Sequence, residues 1–103
     1  MTVTGIVLAR NEERYIETAV RNAAGFCDRM LLCDHRSSDA TPGILRGLSS
    51  ELPAAEFHAL GHPRESHELL KPLCGTTAWV FAVDGDEIYD PEGLKRLRGR
   101  MEA

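Results

Sequence analysis

Apolar residues fall along the chain in short runs that alternate with segments of helical spacing. Val3–Ala9 is apolar and rich in β-branched residues, which is typical of a strand covered on both faces. Met30–Cys33 and Trp79–Val83 read as further buried strands, and Ala55–Leu60 as a weaker one between them. Four strands separated by helices predict an α/β fold with a mostly parallel, Rossmann-like sheet.

The segments between these strands carry helix signals. Gly25 is suited to end the first helix, and Pro42 to stand in the first turn of the second, with Thr41 as a cap. A third helix is predicted over Ser66–Leu73, where Pro72 should bend or end it. Asp90 and Pro91 form the start of a last helix. The core-facing residues of the first, second and last helices are expected to be Ile16, Ala19, Val20, Ala23 and Ala24, then Ile44, Leu45 and Leu48, then Leu94, Leu97 and Met101.

Acidic residues follow three of the four predicted strands. Glu12 comes after the first strand, Asp34 after the second, and three acids stand in Asp84-Gly85-Asp86-Glu87 after the fourth. Ligands of parallel α/β sheets bind beyond the carboxyl ends of the strands. Carboxylates gathered on one edge repel each other unless hydrogen bonds or a cation offset the repulsion. The pattern therefore predicts a polar site at this edge.

The four residues from Asp84 to Glu87 are the most specific feature. Gly85 has no side chain to crowd the turn, so a ligand or a backbone segment can approach closely. Two neighbouring carboxylates suit a hard divalent cation such as Mg²⁺ or Mn²⁺, which commonly joins one or two carboxylates to substrate phosphates. The alternative is a solvated acidic turn that also caps a helix.

The other two strand ends each allow two interpretations. Asp34 is placed to hydrogen-bond a ribose hydroxyl or a base edge, or to form a turn with Ser37, Ser38 and Asp39. Asn11-Glu12 is placed to face a nucleotide or to start the first helix, where Asn is a good cap.

Charge and composition narrow the class of protein. The net charge of -4 disfavours nonspecific nucleic-acid binding, and a negative protein that binds a negative ligand usually needs a cation between them. No apolar run reaches membrane-spanning length and the start lacks signal-peptide features, so we expect a cytoplasmic protein without a transmembrane segment. Cys27, Cys33 and Cys74 are expected to be reduced, mostly buried thiols, and Trp79 to pack in the core.

Taken together, the strand ends resemble the family 2 inverting glycosyltransferases of the GT-A fold. In that family a first strand ends in Asn-Glu, here Asn11-Glu12, and a second ends in Asp followed by a Ser-x-Asp-x-Thr run. Here Asp34 is followed by most of that run, Ser38-Asp39-Ala40-Thr41. A later strand ends in a metal-binding Asp-x-Asp, here Asp84-Gly85-Asp86. The resemblance covers the chain from about Val3 to Leu97 and implies a three-layer α/β/α sandwich of partial GT-A type.

The resemblance also implies roles for individual residues. Arg10, Glu12 and Asp34 would border the base and ribose, and Arg64 is expected to reach the nucleotide. Asp86 would be the main protein ligand of Mn²⁺ or Mg²⁺, with Asp84 assisting at the ribose or the metal. The implied substrate-binding residues are Arg10, Asn11, Glu12, Asp34, Arg64 and Asp84, and the implied metal ligands are Asp84 and Asp86.

Residues 1–103 would then form the donor-binding part of a glycosyltransferase, which transfers sugar from a UDP-, GDP- or dTDP-sugar to an unknown acceptor. The resemblance places the general base in an acceptor-binding part that this chain lacks. A truncated sheet would expose an apolar edge, which favours self-association into homo-oligomers or aggregation. Two alternatives remain. One is a noncatalytic module that holds a nucleotide sugar or a metal. The other is a sugar nucleotidyltransferase-like domain, which usually has a Gly-rich loop where this chain has Ala9-Arg10-Asn11-Glu12.

Overall fold

The computed structural model describes residues 2–62 and 64–102, which form an α/β fold around one parallel sheet. The four strands in the described part are β1 (Val3–Ala9), β2 (Arg29–His35), β3 (Ala55–Leu60) and β4 (Trp79–Asp84). The four α-helices there are α1 (Ile16–Ala24), α2 (Thr41–Glu51), α3 (Glu65–Leu70) and α4 (Pro91–Glu102). The predicted α/β class and the parallel sheet are confirmed.

The strand order is β3-β2-β1-β4, so the order in which the chain adds strands to the sheet reverses at β1. The chain builds outward from β1 to β3 and then crosses back to lay β4 against the other side of β1. Such a reversal opens a crevice at the carboxyl ends of the two strands that flank it. In the register, Leu8 lies opposite Asp84 and Ala9 opposite Asp34, so the polar segments leave the sheet at one level.

Separate apolar clusters lie on the two faces of the sheet, because side chains alternate along each strand. Val7 and Leu32 belong to the larger cluster, which is completed by residues of α1 and α2. Ile6 and Leu31 belong to a smaller one, against which Leu69 of α3 packs. A third cluster joins α4 to the start of the sheet and contains Val3, Phe26 and Leu94.

Most helix predictions are confirmed, but Thr41 does not cap the second helix, and of the two interpretations of Asn11 the one as a helix cap is wrong. The α-helical part of the third helix ends at Leu70, and Pro72 lies in a short 3₁₀ turn over Lys71–Leu73, as its ring geometry predicts. Helix α1 begins only at Ile16, so Asn11 does not cap it. Thr41 lies inside α2 rather than before it, and the residue that precedes the helix, Ala40, makes no side-chain cap. The side chains of Asn11 and Thr41 instead make hydrogen bonds between the loops that follow β1 and β2.

Strand β4 is more exposed than its apolar sequence predicts. Trp79 is 51% exposed and Val80 45%, so the prediction that Trp79 packs in the core is wrong. The reason is topological, because β4 is an edge strand with a neighbour on one side only. Leu97 of α4 is also 46% exposed, unlike its predicted companion Leu94.

The thiols differ in their surroundings. Cys33 is buried and Cys27 half-buried, as expected, whereas Cys74 is exposed. Burial raises the pKa of the Cys33 thiol to about 12, which keeps it protonated and suits a packing role. None of the helices within the described ranges is long and apolar enough to cross a membrane.

Candidate functional site

The loop after β1 and the loop after β2 are joined by hydrogen bonds that run in both directions. The backbone N–H of Asn11 donates to Ser37 Oγ at 2.9 Å, and the N–H of Ser38 donates to Asn11 Oδ1 at 2.8 Å. The N–H of Glu12 donates to Thr41 Oγ1 at 2.9 Å. Asn11 and Thr41 therefore connect the two loops, which explains why neither side chain caps a helix.

Two acids extend this connection. The N–H of Glu13 donates to Asp39 Oδ2 at 3.2 Å, and the N–H of Ala40 donates back to Glu13 Oε2 at 3.1 Å. Asp39 also accepts from the N–H of Thr41 at 2.9 Å. Desolvation acts to raise the pKa of Asp39, but the hydrogen bonds to Thr41 and Glu13 favour the carboxylate more, and the pKa is lowered. Glu13 and Asp39 thus have structural partners.

Asp34 lies within β2, one residue before its end, and is only 5% exposed. Its Oδ1 accepts from the Ser37 hydroxyl at 2.5 Å and its Oδ2 accepts from the Ser37 N–H at 3.2 Å. These bonds close a turn over residues 34–37, which is the turn interpretation of the sequence. A ribose contact stays a prediction and would have to use the remaining lone pairs of the same carboxylate.

The acidic turn after β4 is held from within by Glu87. Gly85 continues the sheet by donating its N–H to the Leu8 carbonyl at 3.1 Å. Glu87 Oε1 accepts from the N–H of Asp84 at 2.8 Å, and its Oε2 accepts from the Tyr89 hydroxyl at 3.1 Å. Desolvation and this bond to Glu87 raise the pKa of Tyr89. Both oxygens of the Glu87 carboxylate are therefore engaged in shaping the turn.

Asn22 of α1 anchors the far end of the same loop. Its Nδ2 donates to the Tyr89 carbonyl and its Oδ1 accepts from the Tyr89 N–H, both at 2.8 Å. The amide side chain therefore satisfies a backbone donor and acceptor that no strand partner reaches. The loop from Gly85 to Tyr89 is fixed to the sheet at one end and to α1 at the other.

Gly85 is buried because the protein itself fills the space beside it. A Cβ atom built on Gly85 would lie 3.1 Å from each of Ala9 Cβ, Glu12 Cγ and Ile16 Cδ1. The close approach that the sequence predicted is therefore made by the end of β1 and the start of α1. As a result, the side chain of Glu12 lies against the turn that carries Asp84 and Asp86.

Asp84 and Asp86 are the acids of this turn whose carboxylates are left unused. Both residues are exposed, and neither side chain makes a hydrogen bond or ion pair within the described residues. No group of three or more potential metal-ligating side chains occurs among residues 2–62 and 64–102. Mg²⁺ usually takes one or two carboxylates and completes its shell with waters and substrate phosphates. Asp84 and Asp86 fit a cation bound in that way.

Arginine side chains without ionic partners accompany the acids at this edge. Arg10 follows β1 and Arg36 follows β2; both are exposed and make no ion pair with the part of the chain that the structure describes. By contrast, Arg98 pairs with Asp28 at 3.0 Å near the opposite edge, where β1 begins. Arg64 also lacks an ionic partner there, but it follows β3. That strand lies three spacings from β4, or about 14 Å. The structure therefore groups the predicted residues of β1, β2 and β4 and leaves Arg64 at the far side.

No family model matches the sequence, and comparison with curated proteins yields no relative. The candidate site is accordingly defined by the residues of the chain itself.

Three residues of the site were not found from the sequence. Asn22 and Tyr89 lie 67 positions apart, and no local pattern signals a contact over that separation. Arg36 could have been singled out, because it stands in a turn-forming run between Asp34 and Ser37, where a bulky residue is unusual.

Proposed function

We propose that this chain is the donor-binding part of a metal-dependent glycosyltransferase of the family 2 type. In this proposal the sheet and its helices form a three-layer α/β/α sandwich of GT-A type. A nucleoside diphosphate sugar binds at the carboxyl edge, across the crevice between β1 and β4. The acceptor is not specified by any residue of the described chain.

The division of work among the acids at this edge carries the proposal. Glu13, Asp34, Asp39 and Glu87 each accept hydrogen bonds that shape the loops. Asp84 and Asp86 take no such part, although they stand on a loop that is fixed at both ends. Two exposed carboxylates that stand two residues apart on such a loop suit a divalent cation, which commonly joins one or two carboxylates to substrate phosphates. A divalent cation bound to a phosphate-bearing ligand would account for both the unused carboxylates and the fixed loop that carries them.

The residues of the chain would then act mainly by binding and orienting the donor. Asp86, assisted by Asp84, would hold Mn²⁺ or Mg²⁺, and a cation there would supply Lewis-acid neutralisation of the charge that builds on the departing diphosphate. Arg10 would lie beside the anionic groups at the end of β1. Asn11 and Asp34, next to the nucleoside, would keep their loop hydrogen bonds while the ligand is bound.

The first test is calorimetric titration of UDP into the chain, with and without Mn²⁺. We expect binding that requires Mn²⁺ and is lost in Asp86→Ala. Glu92→Ala is the matched control, because Glu92 is an exposed acid on α4, outside the turn, and its removal should leave binding unchanged. If UDP, GDP and dTDP all fail to bind with Mn²⁺ present, the proposal is wrong.

A second measurement separates the enzyme from a noncatalytic module. Incubation with a UDP-sugar and Mn²⁺ should release UDP slowly if the chain supports transfer to water. Release of UDP that requires Mn²⁺ and is lost in Asp86→Ala would exclude the noncatalytic module.

A further inference from the structure

Two residues other than glycine adopt a positive φ angle within the described ranges. Asn11 has φ 53° and Arg36 has φ 52°. This left-handed region brings Cβ close to the backbone, so glycine occupies it readily and asparagine more often than most other residues. The Asn11 conformation has an evident use, because it directs Oδ1 to the N–H of Ser38. Arg36 needs a separate explanation.

The turn that contains Arg36 does not require an arginine. It is closed by Asp34, which accepts from the N–H and the hydroxyl of Ser37, and these bonds involve no atom of the Arg36 side chain. Glycine at this position would allow the same turn without the steric cost. The Arg36 side chain is exposed and contacts no acid among the described residues. Within the described chain, then, a strained backbone position holds a cation that has no partner.

The position of Arg36 suggests what it contacts. Ala9 lies opposite Asp34 in the register, so Arg36 and Arg10 leave neighbouring strands at the same edge. Strand β2 is two spacings, or about 10 Å, from β4 and its carboxylates. A planar guanidinium matches two oxygens of a phosphate and binds them more specifically than an ammonium group does. Residues in costly backbone conformations cluster at ligand-binding sites.

We infer that Arg36 is a specificity-determining residue that binds phosphate oxygens at the carboxyl edge of the sheet. The inference rests on the proposed function for the identity of the ligand, a nucleoside diphosphate. Its chemistry is tested independently with inorganic pyrophosphate in the absence of any divalent cation. Because Arg36 selects ligands by charge, the affinity for uridine, which carries no phosphate, should not depend on Arg36.

The test compares pyrophosphate binding by the unaltered chain and by Arg36→Gly, followed through the amide NMR signals of residues 34–38. Loss of one charge-assisted contact should weaken binding about tenfold or more. Arg36→Gly should also unfold at a higher temperature, because the left-handed conformation no longer carries a cost. Arg36→Lys, which keeps the charge but not the planar fork, should bind with intermediate affinity.

Two controls separate this effect from general charge and from general turn relaxation. Arg100→Ala removes an exposed arginine near the end of α4, close to the opposite edge of the sheet, and should leave pyrophosphate binding unchanged. Asn11→Gly relieves the other positive φ angle but loses the bond to Ser38, so it should not gain stability.

The inference is overturned if the unaltered chain does not bind pyrophosphate, or if Arg36→Gly binds it equally well. An Arg36→Gly variant that is less stable than the parent would contradict the strain argument. Failure of UDP and Mn²⁺ to bind, with the pyrophosphate result intact, would remove the proposed function and leave Arg36 as an anion-binding residue.

Discussion

Replacement of Gly85 by alanine tests how the acidic turn is seated. The added methyl group would lie 3.1 Å from Ala9 Cβ, Glu12 Cγ and Ile16 Cδ1. Glu12 has a flexible side chain that can move, but Ala9 belongs to the central strand and Ile16 is fully buried. Overpacking of this kind costs about 1–3 kcal/mol. For a domain of this size, we therefore expect the melting temperature to fall by about 5–20 °C.

Thermal and urea unfolding measure this change, and Gly47→Ala is the matched control. Gly47 lies in the exposed middle of α2, with no atom within 4 Å of a built Cβ. Alanine there should stabilise the helix by about 0.5–1 kcal/mol. The two glycine replacements are therefore expected to move stability in opposite directions.

A Gly85→Ala variant that unfolds at the same temperature as the parent would refute this reasoning. That result would mean that the turn after β4 shifts freely. Gly85 would then not hold the turn against the end of β1, and Asp84 and Asp86 would not stand on a rigid loop.

Two further predictions concern the anchors of the fold. Asn22→Ala leaves the backbone N–H and carbonyl of Tyr89 without their partner, so we expect a loss of about 1–3 kcal/mol and faster amide exchange over residues 85–90. Unchanged exchange would contradict the anchoring role. Hydrogen bonds from the Val3 N–H and from Arg98 lower the pKa of Asp28 from 3.8, so its stabilising contribution is present above that value and lost as the pH falls through the lowered pKa. Asp28→Asn should therefore reduce the melting temperature at about pH 7, and the reduction should become smaller as the pH falls below 3.8; a loss that does not change with pH would exclude the carboxylate as the cause.

The strands could be predicted because burial on both faces leaves a mark on the sequence. Val3–Ala9 is apolar except for Thr4 and is an interior strand with neighbours on each side. The exposure of Trp79 could not be predicted in the same way, because an apolar run does not say whether a strand lies at the centre or the edge of a sheet. That property follows from the strand order, which local pattern does not encode.

The candidate site was predicted in its location but not in the use of each residue. Parallel strands end at a common edge, so Glu12, Asp34 and Asp84 were expected to lie near one another. Which acids would be consumed by hydrogen bonds depends on contacts between loops, such as Glu13 with Ala40, that span 27 residues of chain. Similar separations concealed the connecting roles of Asn11 and Thr41, because helix signals indicated capping for Thr41 and, as one of two interpretations, for Asn11.

The strained arginine and the unused carboxylates at this edge suit the same ligand. In the absence of a ligand, a loop that is fixed at both ends carries the exposed Asp84 and Asp86, and Arg36 occupies a costly backbone conformation. The conformation of Arg36 lowers the stability of the chain alone, and no contact of its side chain within the described residues offsets that cost. A phosphate beside the arginine would offset this cost, and a cation bound to Asp84 and Asp86 would hold the same diphosphate. Because the left-handed conformation of Arg36 is already present in the free protein, its cost falls on folding and not on binding, so the contact with phosphate contributes in full to the affinity.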